Sequence, residues 1–104
     1  MERPEVRSNY HLFPLLLNLE QLTIGRDEFV ERLKAENIGV SVLWSPLPNH
    51  TLYQRELGVN LEDFPVTQDT YLRLVNLPVS PAASADDIED AARAVLKICG
   101  HFAR

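Results

Sequence analysis

The feature that most constrains the fold is an apolar run that ends abruptly in two prolines. Residues 38–53 read IGVSVLWSPLPNHTLY. Residues 40–44 have the composition of a buried strand, whereas residues 45–50 combine both prolines with polar side chains and predict a loop. Polar and aromatic groups at the end of a buried strand are where α/β proteins usually bind a ligand. We therefore expect the rest of the chain to support this loop.

Two other apolar segments predict strands. Residues 10–19 are too short for most helices, and Pro14 disfavours a helix interior. A strand is favoured there, with Pro14 at a sheet edge or a bulge. Residues 74–77 are short, mainly apolar and followed by Pro78, which predicts a third strand.

The spacing of apolar residues predicts four helices. Three of them span residues 26–37, 51–57 and 65–72. The last helix is the clearest, because its apolar residues recur every three or four positions: Ile88, Ala91, Ala92, Val95, Ile98, Cys99 and Phe102. Residues 84–87 resemble a capping box for it, with Asp in place of the usual Glu.

Three residues are expected to set helix ends. Asn37, which precedes Ile38 and Gly39, supplies a stop for the first helix. Thr51 is expected to cap the second helix, and Gly58 to end it.

These elements predict an α+β fold in which helices pack mainly on one face of a small sheet. The sheet is expected to have about three strands and to be mainly antiparallel. A chain of 104 residues, 45% of them apolar, suffices for one modest core and leaves no room for a second domain. Residues 10–104 are expected to form this domain, and the polar residues 1–9 a leader or linker stump.

Composition excludes several classes of protein. The net charge is -5, because 15 acids spread along the chain outnumber 10 lysines and arginines, and this argues against a nucleic-acid or anionic-membrane surface. Cys99 is the single cysteine, so there is no internal disulfide and a reducing compartment is the default. The sequence shows no signal peptide and no apolar span of about 18 residues, which predicts a soluble cytoplasmic domain.

The loop contains the strongest candidates for ligand contacts. His50 shares it with Ser45 and lies three residues before Tyr53. The two prolines lower the entropy cost of holding polar groups in place, which suits a binding loop, although the same residues also suit an ordinary turn. Trp44 fits either a core aromatic or a flat wall for a ring.

Other chemically capable residues have plainer explanations. Cys99 lies on the apolar stripe of the last helix, which favours a packed thiol. His11 fits a histidine on the sheet surface or a ligand-facing one, and His101 suits a helix end. The sequence has no phosphate loop, no metal-ligand spacing and no nucleophile elbow, so we expect neither a catalytic residue nor a metal site.

Several short motifs occur in an order that is informative as a set. They are Tyr10-His11-Leu12-Phe13, Arg26-Asp27 opening a helix that ends at Ile38-Gly39, Pro46-Leu47 with Tyr53, Phe64-Pro65, and Leu77-Pro78-Val79-Ser80-Pro81. Over roughly residues 8–98 this order resembles the C-terminal small domain of the DegT/DnrJ/StrS-type nucleotide-sugar aminotransferases. The resemblance implies the fold of the C-terminal domain of fold-type I aminotransferases.

The resemblance also implies a function for the parent protein. Members of that family use pyridoxal phosphate to move an amino group, usually from glutamate, to a keto-sugar carried on a nucleotide. Their cofactor lysine belongs to a large N-terminal domain, and neither Lys34 nor Lys97 suits that role. The chain would then be the substrate-capping domain of a homodimeric enzyme, inactive alone, with the large domain, the nucleotide-linked keto-sugar and the amino donor as partners.

The matching loop of that family, often His-Tyr-x-Pro-Leu-His, supplies sugar contacts. Here residues 43–48 read LWSPLP, so both histidines are replaced, by Leu43 and Pro48. By this resemblance four residues are expected to line the sugar side of the cleft: Trp44, Ser45, His50 and Tyr53. The alternative is a stand-alone α+β module for binding or dimerisation that has lost catalysis.

Overall fold

A short antiparallel pair of strands joins the two halves of the chain. The computed structural model describes residues 4–104, so the first three residues of the expected leader lie outside the described part. The strands are β1 (Phe13–Leu16) and β2 (Leu74–Leu77). The helices are α1 (Arg26–Ala35), α2 (Thr51–Leu57), α3 (Pro65–Arg73) and α4 (Ala85–His101). The α+β class and the antiparallel pairing are confirmed.

The strand expected at residues 40–44 is wrong, so the sheet has two strands in the described residues instead of about three. This segment meets β2 only at Ser41, whose backbone exchanges two hydrogen bonds with that of Asn76, at 3.2 and 2.8 Å. The next hydrogen-bonded pairs of such a ladder would be Gly39 with Pro78 and Leu43 with Leu74. Pro78 has no N–H to donate, and the carbonyl of Leu43 accepts from the Asn76 side chain instead. The ladder therefore stops after one pair.

Pro14 lies at the sheet edge, as its chemistry predicts. It is paired with Asn76 across the antiparallel ladder. The backbone N–H and C=O of Asn76 both point to Ser41, on the opposite side of β2. A residue without an N–H therefore costs this sheet no hydrogen bond.

The core forms where α1 and α4 pack against each other and against β2. Phe29 and Leu33 of α1 and Val75 of β2 are fully buried. Around them lie the other buried members of the cluster, Leu17, Leu22, Val30, Ala94 and Ile98. Helical spacing places the members from α1 and α4 on the buried faces of these helices, whereas Leu17, Leu22 and Val75 come from outside them.

Helix ends follow local chemistry closely. Asn37 has a left-handed backbone (φ +63°), and two hydrogen bonds, Asn37 N–H to Lys34 O and Ile38 N–H to Leu33 O, both 2.9 Å, close α1 as a Schellman motif. Gly58 ends α2 in the same left-handed region, as predicted. The predicted cap at Thr51 is wrong, because Thr51 is already helical and His50 is the N-cap residue.

Arg26 ties the start of α1 to the junction between α3 and β2. Its Nη1 donates to the carbonyls of Tyr71 and Leu74, at 3.3 and 3.4 Å, and its guanidinium lies 5.1 Å from the centre of the Tyr71 ring. Tyr71 lies in the last turn of α3 and Leu74 is its C-cap residue, and a positive charge is favoured at this end of a helix. No helix in residues 4–104 is long and apolar enough to cross a bilayer.

The capping box of α4 makes a prediction about acid stability. The Ser84 hydroxyl and then the Ser84 backbone N–H donate to the Asp87 carboxylate and lower the pKa of that carboxyl. The stability that this group contributes is present above its unfolded pKa of about 4 and is lost as the pH falls through the lower folded value. We expect Asp87→Asn to reduce the loss of stability on acidification, measured as urea midpoints between about pH 6 and about pH 3.

Asp86→Asn is the matched control. Asp86 lies in the same first turn of α4, but its carboxylate makes no hydrogen bond to Ser84 in the described chain. An acid response identical to that of the wild type in Asp87→Asn would contradict the assignment of the capping box.

Candidate functional site

The loop that follows residue 43 is exposed and held in a defined shape. Residues Leu47–Asn49 form a single 3-10 turn, with hydrogen bonds from Asn49 N–H to Pro46 O (2.9 Å) and from His50 N–H to Leu47 O (3.0 Å). The two prolines fix φ on both sides of Leu47, which favours this tight turn. The Gln54 side chain donates to Pro48 O at 2.9 Å and ties the loop to α2.

The four residues expected to line a sugar cleft all lie on this loop and on the first turn of α2. Trp44, Ser45 and His50 are exposed, and Tyr53 is half-buried. His50 and Tyr53 contact each other edge to face, with ring centres 6.4 Å apart and planes at 86°. Trp44 has no ring contact of this kind in the described residues.

Trp44 is not a core aromatic. Its side chain is 73% exposed, although it follows directly on a segment whose valines pack against the core. The sequence left two explanations open, a core aromatic and a flat wall for a ring, and this exposure excludes the first. A contact with a ligand remains a prediction.

Sequence reasoning missed Asn76, whose side chain binds the segment that leads into the loop. Asn76 lies in β2 and is only 3% exposed. Its Nδ2 donates to the carbonyls of Ser41 and Leu43, at 3.5 and 3.4 Å, and Leu43 immediately precedes Trp44. The available signal was the single amide in an otherwise apolar four-residue strand, because a buried polar side chain needs partners nearby.

His11 lies at a separate concavity at the end of the sheet. This cavity of about 320 Å³ is lined also by Ser41, Asn76 and Val79. The His11 side chain is exposed, and its backbone N–H donates to the Asn9 side chain. A ligand-facing role of His11 stays a prediction.

The two lysines do not fit a covalent cofactor site. Lys34 Nζ pairs with Glu31 at 2.8 Å, and Lys97 Nζ pairs with Glu36 at 2.7 and 2.9 Å. Their side chains are 53% and 66% exposed, whereas a lysine that forms a Schiff base needs a desolvated pocket. Pyridoxal phosphate therefore has no lysine of the required environment within the described residues.

The remaining candidates behave as the plainer explanations predict. Cys99 packs against the core, and burial raises the pKa of its thiol, which disfavours the reactive thiolate. His101 lies in the last turn of α4, where a cation is favoured, and its ring contacts that of Phe102. Residues 4–104 contain no group of three His, Cys, Asp or Glu side chains arranged to hold a metal.

The exposure of Trp44 makes a direct prediction, because it is the single tryptophan. Its fluorescence in the folded chain is expected to have nearly the same emission maximum as in the urea-unfolded chain, and to be quenched readily by acrylamide. Circular dichroism in the same titration reports the loss of α1 and α4. A folded chain with clearly blue-shifted emission would show that Trp44 is covered, either by this chain or by a second copy.

Comparison with known proteins finds relatives that are much longer than this chain. It is 41% identical over 96 residues to the uncharacterised protein MJ1066 of Methanocaldococcus jannaschii, covering 92% of this chain and 25% of that protein. It is 37% identical over 93 residues to the spore coat polysaccharide biosynthesis protein SpsC of Bacillus subtilis, covering 88% and 24%. The chain therefore spans about a quarter of the length of these curated relatives.

Solved structures and family models agree with these relatives. The fold matches a putative sugar aminotransferase, Spr1654 from Streptococcus pneumoniae in its apo form, with a TM-score of 0.77 at 18% identity. That match covers 88% of this chain and 22% of the other. The model of the DegT/DnrJ/EryC1/StrS aminotransferase family matches residues 1–96. The resemblance inferred from the short motifs is thus confirmed, and the chain belongs to the DegT/DnrJ/EryC1/StrS aminotransferase family.

Proposed function

We propose that residues 10–104 are the substrate-capping small domain of a cytoplasmic, pyridoxal-phosphate-dependent sugar aminotransferase. The observation that carries this proposal is the exposed loop of Trp44, Ser45 and His50, which the domain's own core does not cover. Exposed aromatic and polar groups on a constrained loop are suited to closing over a polar ligand. The length of the relatives supports a parent protein with a further, larger domain.

The chemistry of the loop suits a sugar. An indole ring offers a flat apolar face to the C–H groups of a pyranose, while a serine hydroxyl and an imidazole donate to and accept from sugar hydroxyls. His50 also has Tyr53 beside it, which restricts the orientation of its ring. These groups would orient the keto-sugar and exclude water from it.

The replacement of both family histidines bears on the choice of sugar. Leu43 and Pro48 stand where the family's loop carries polar side chains that can pair with hydroxyls. A pocket that lacks such partners discriminates differently among hydroxylated ligands. In this proposal His50, two residues after Pro48, supplies the polar contact that the loop otherwise lacks.

The environment of the two lysines indicates which domain of the parent would hold the cofactor. Pyridoxal phosphate supplies an electron sink for amino transfer once a lysine holds it, and neither lysine of this chain has a suitable environment. The cofactor, the amino donor and the chemical step would therefore belong to the large domain of a homodimeric parent. This chain contributes substrate contacts only.

Substitutions in the full-length parent test the role of the loop. Trp44→Ala and His50→Ala are each expected to raise the KM for the nucleotide-linked sugar about tenfold, a loss of about 1.4 kcal/mol of binding, while the cofactor's absorbance is unchanged. Leu96→Ala, at an exposed position of α4, is the control and is expected to have no effect. Unchanged KM and kcat in both loop variants would refute the assignment.

Titration of the chain with pyridoxal phosphate tests the division of labour. No saturable change in the cofactor's absorbance is expected, because both lysines are solvated and paired with carboxylates. Lys34→Arg and Lys97→Arg should give the same titration as the wild type. A saturable change that one of these substitutions abolishes would place a cofactor lysine in this chain and contradict the proposal.

A second candidate is a stand-alone binding or dimerisation module without catalysis. It is favoured by large apolar side chains exposed around the loop, namely Trp44, Leu47, Leu52 and Leu57. A patch of this kind normally marks an interaction surface. The coding sequence around this chain distinguishes the candidates, since an in-frame, lysine-bearing aminotransferase domain supports the first.

A further inference from the structure

Asn76 occupies a position where an amide is costly. It lies next to Val75, the fully buried centre of β2, and is itself 3% exposed. A buried amide lowers stability unless its donors and acceptors are paired. The side-chain partners of Asn76 therefore indicate what the residue does.

Every hydrogen bond of residues 39–45 in the described chain ends on Asn76. Its backbone exchanges two bonds with Ser41, and its side-chain Nδ2 donates to the carbonyls of Ser41 and Leu43. Apart from these bonds, the segment is held by its valines, which pack against the core. The orientation of the chain as it reaches Trp44 thus depends on one residue of β2.

The geometry explains how one amide reaches two carbonyls. Carbonyls of residues two apart in an extended chain point to the same side, so those of Ser41 and Leu43 both face β2. An amide placed between them fixes the register of the segment, because a slip of one residue would turn both carbonyls away. The reversed amide would place Oδ1 against two carbonyl oxygens, which is electrostatically unfavourable.

In the part of the chain that the structure describes, the oxygen of the Asn76 amide makes no hydrogen bond that would stabilise the fold. Asn76 Oδ1 is buried and has no hydrogen-bond partner within residues 4–104. An unpaired buried acceptor costs about 1–3 kcal/mol. The side-chain hydrogen bonds that Asn76 does make go to the segment leading to Trp44.

We infer that Asn76 is a positioning residue, which fixes the direction in which the loop of Trp44, Ser45 and His50 leaves the sheet. It acts through the carbonyls of Ser41 and Leu43. The inference rests on the proposed function for its effect on substrate, but its structural part is independent of it.

Nuclear magnetic resonance of the wild-type chain tests the contact without any substitution. The side-chain amide protons of Asn76 are expected to exchange with solvent at least about tenfold more slowly than those of the exposed Asn49. Equal exchange rates would overturn the inference.

Three variants then separate positioning from stability. Asn76→Ala removes the amide, Asn76→Asp keeps its shape without the N–H donors, and Val75→Ala is the matched control that weakens the core at the neighbouring position. Both Asn76 variants should speed exchange of the Ser41 amide at least about tenfold relative to α4 and broaden the single indole N–H signal. Val75→Ala should speed exchange throughout without this selectivity. The same selective change in Val75→Ala, or none in either Asn76 variant, would overturn the inference.

Kinetics of the full-length parent distinguish the two levels of the proposal. If Asn76 acts through the loop, Asn76→Ala raises the KM for the sugar, and combining it with Trp44→Ala gives less than the product of the two single effects. An effect of Trp44→Ala with none of Asn76→Ala would overturn the positioning role alone. No effect of Trp44→Ala would refute the proposed function, and the exchange measurements would still decide the structural role of Asn76.

Discussion

The four residues of β2 support three parts of the structure at once. The side chain of Val75 is buried among α1 and α4, and its backbone lies opposite Leu15 of β1. Asn76 binds the segment at residues 41–43 from the other side. β2 follows α3 without a turn, and Arg26 donates hydrogen bonds to the carbonyls at that junction. Arg26 therefore helps to fix the position of β2. The loop is therefore fixed by elements that are distant from it in sequence.

The sequence predicted the local features of this fold well. The existence of α4, its Ser84 cap and the stop at Asn37 each depend on one residue or on neighbours within one turn. The predicted apolar stripe of α4 is only partly buried, since its Ile88 is 63% exposed. The strand at residues 40–44 was mispredicted because its pairing depends on Pro78, 39 positions after Gly39, and on the side chain of Asn76. Thr51 was mispredicted as a cap because the helix begins one residue earlier than its hydroxyl suggested.

For the candidate site, the exposed loop was predictable from the sequence, whereas its contacts with a ligand stay a prediction. The loop at Trp44 was recognisable from its prolines and aromatic residue, and the structure shows that the chain's own core leaves it exposed. Asn76 was not recognised, because its importance comes from carbonyls more than thirty residues away. Membership of the aminotransferase family supports the proposal that this exposed loop binds a substrate. The solvated, ion-paired state of the two lysines supports the proposal that a cofactor lysine lies in another domain.

A structure of the full-length parent with a nucleotide-linked sugar tests this account most directly. The account predicts that the rings of Trp44 and His50 lie within about 4 Å of the sugar moiety, with Asn76 still bound to the segment before them. A sugar contacted only by other parts of the protein, with this loop facing solvent, would contradict it.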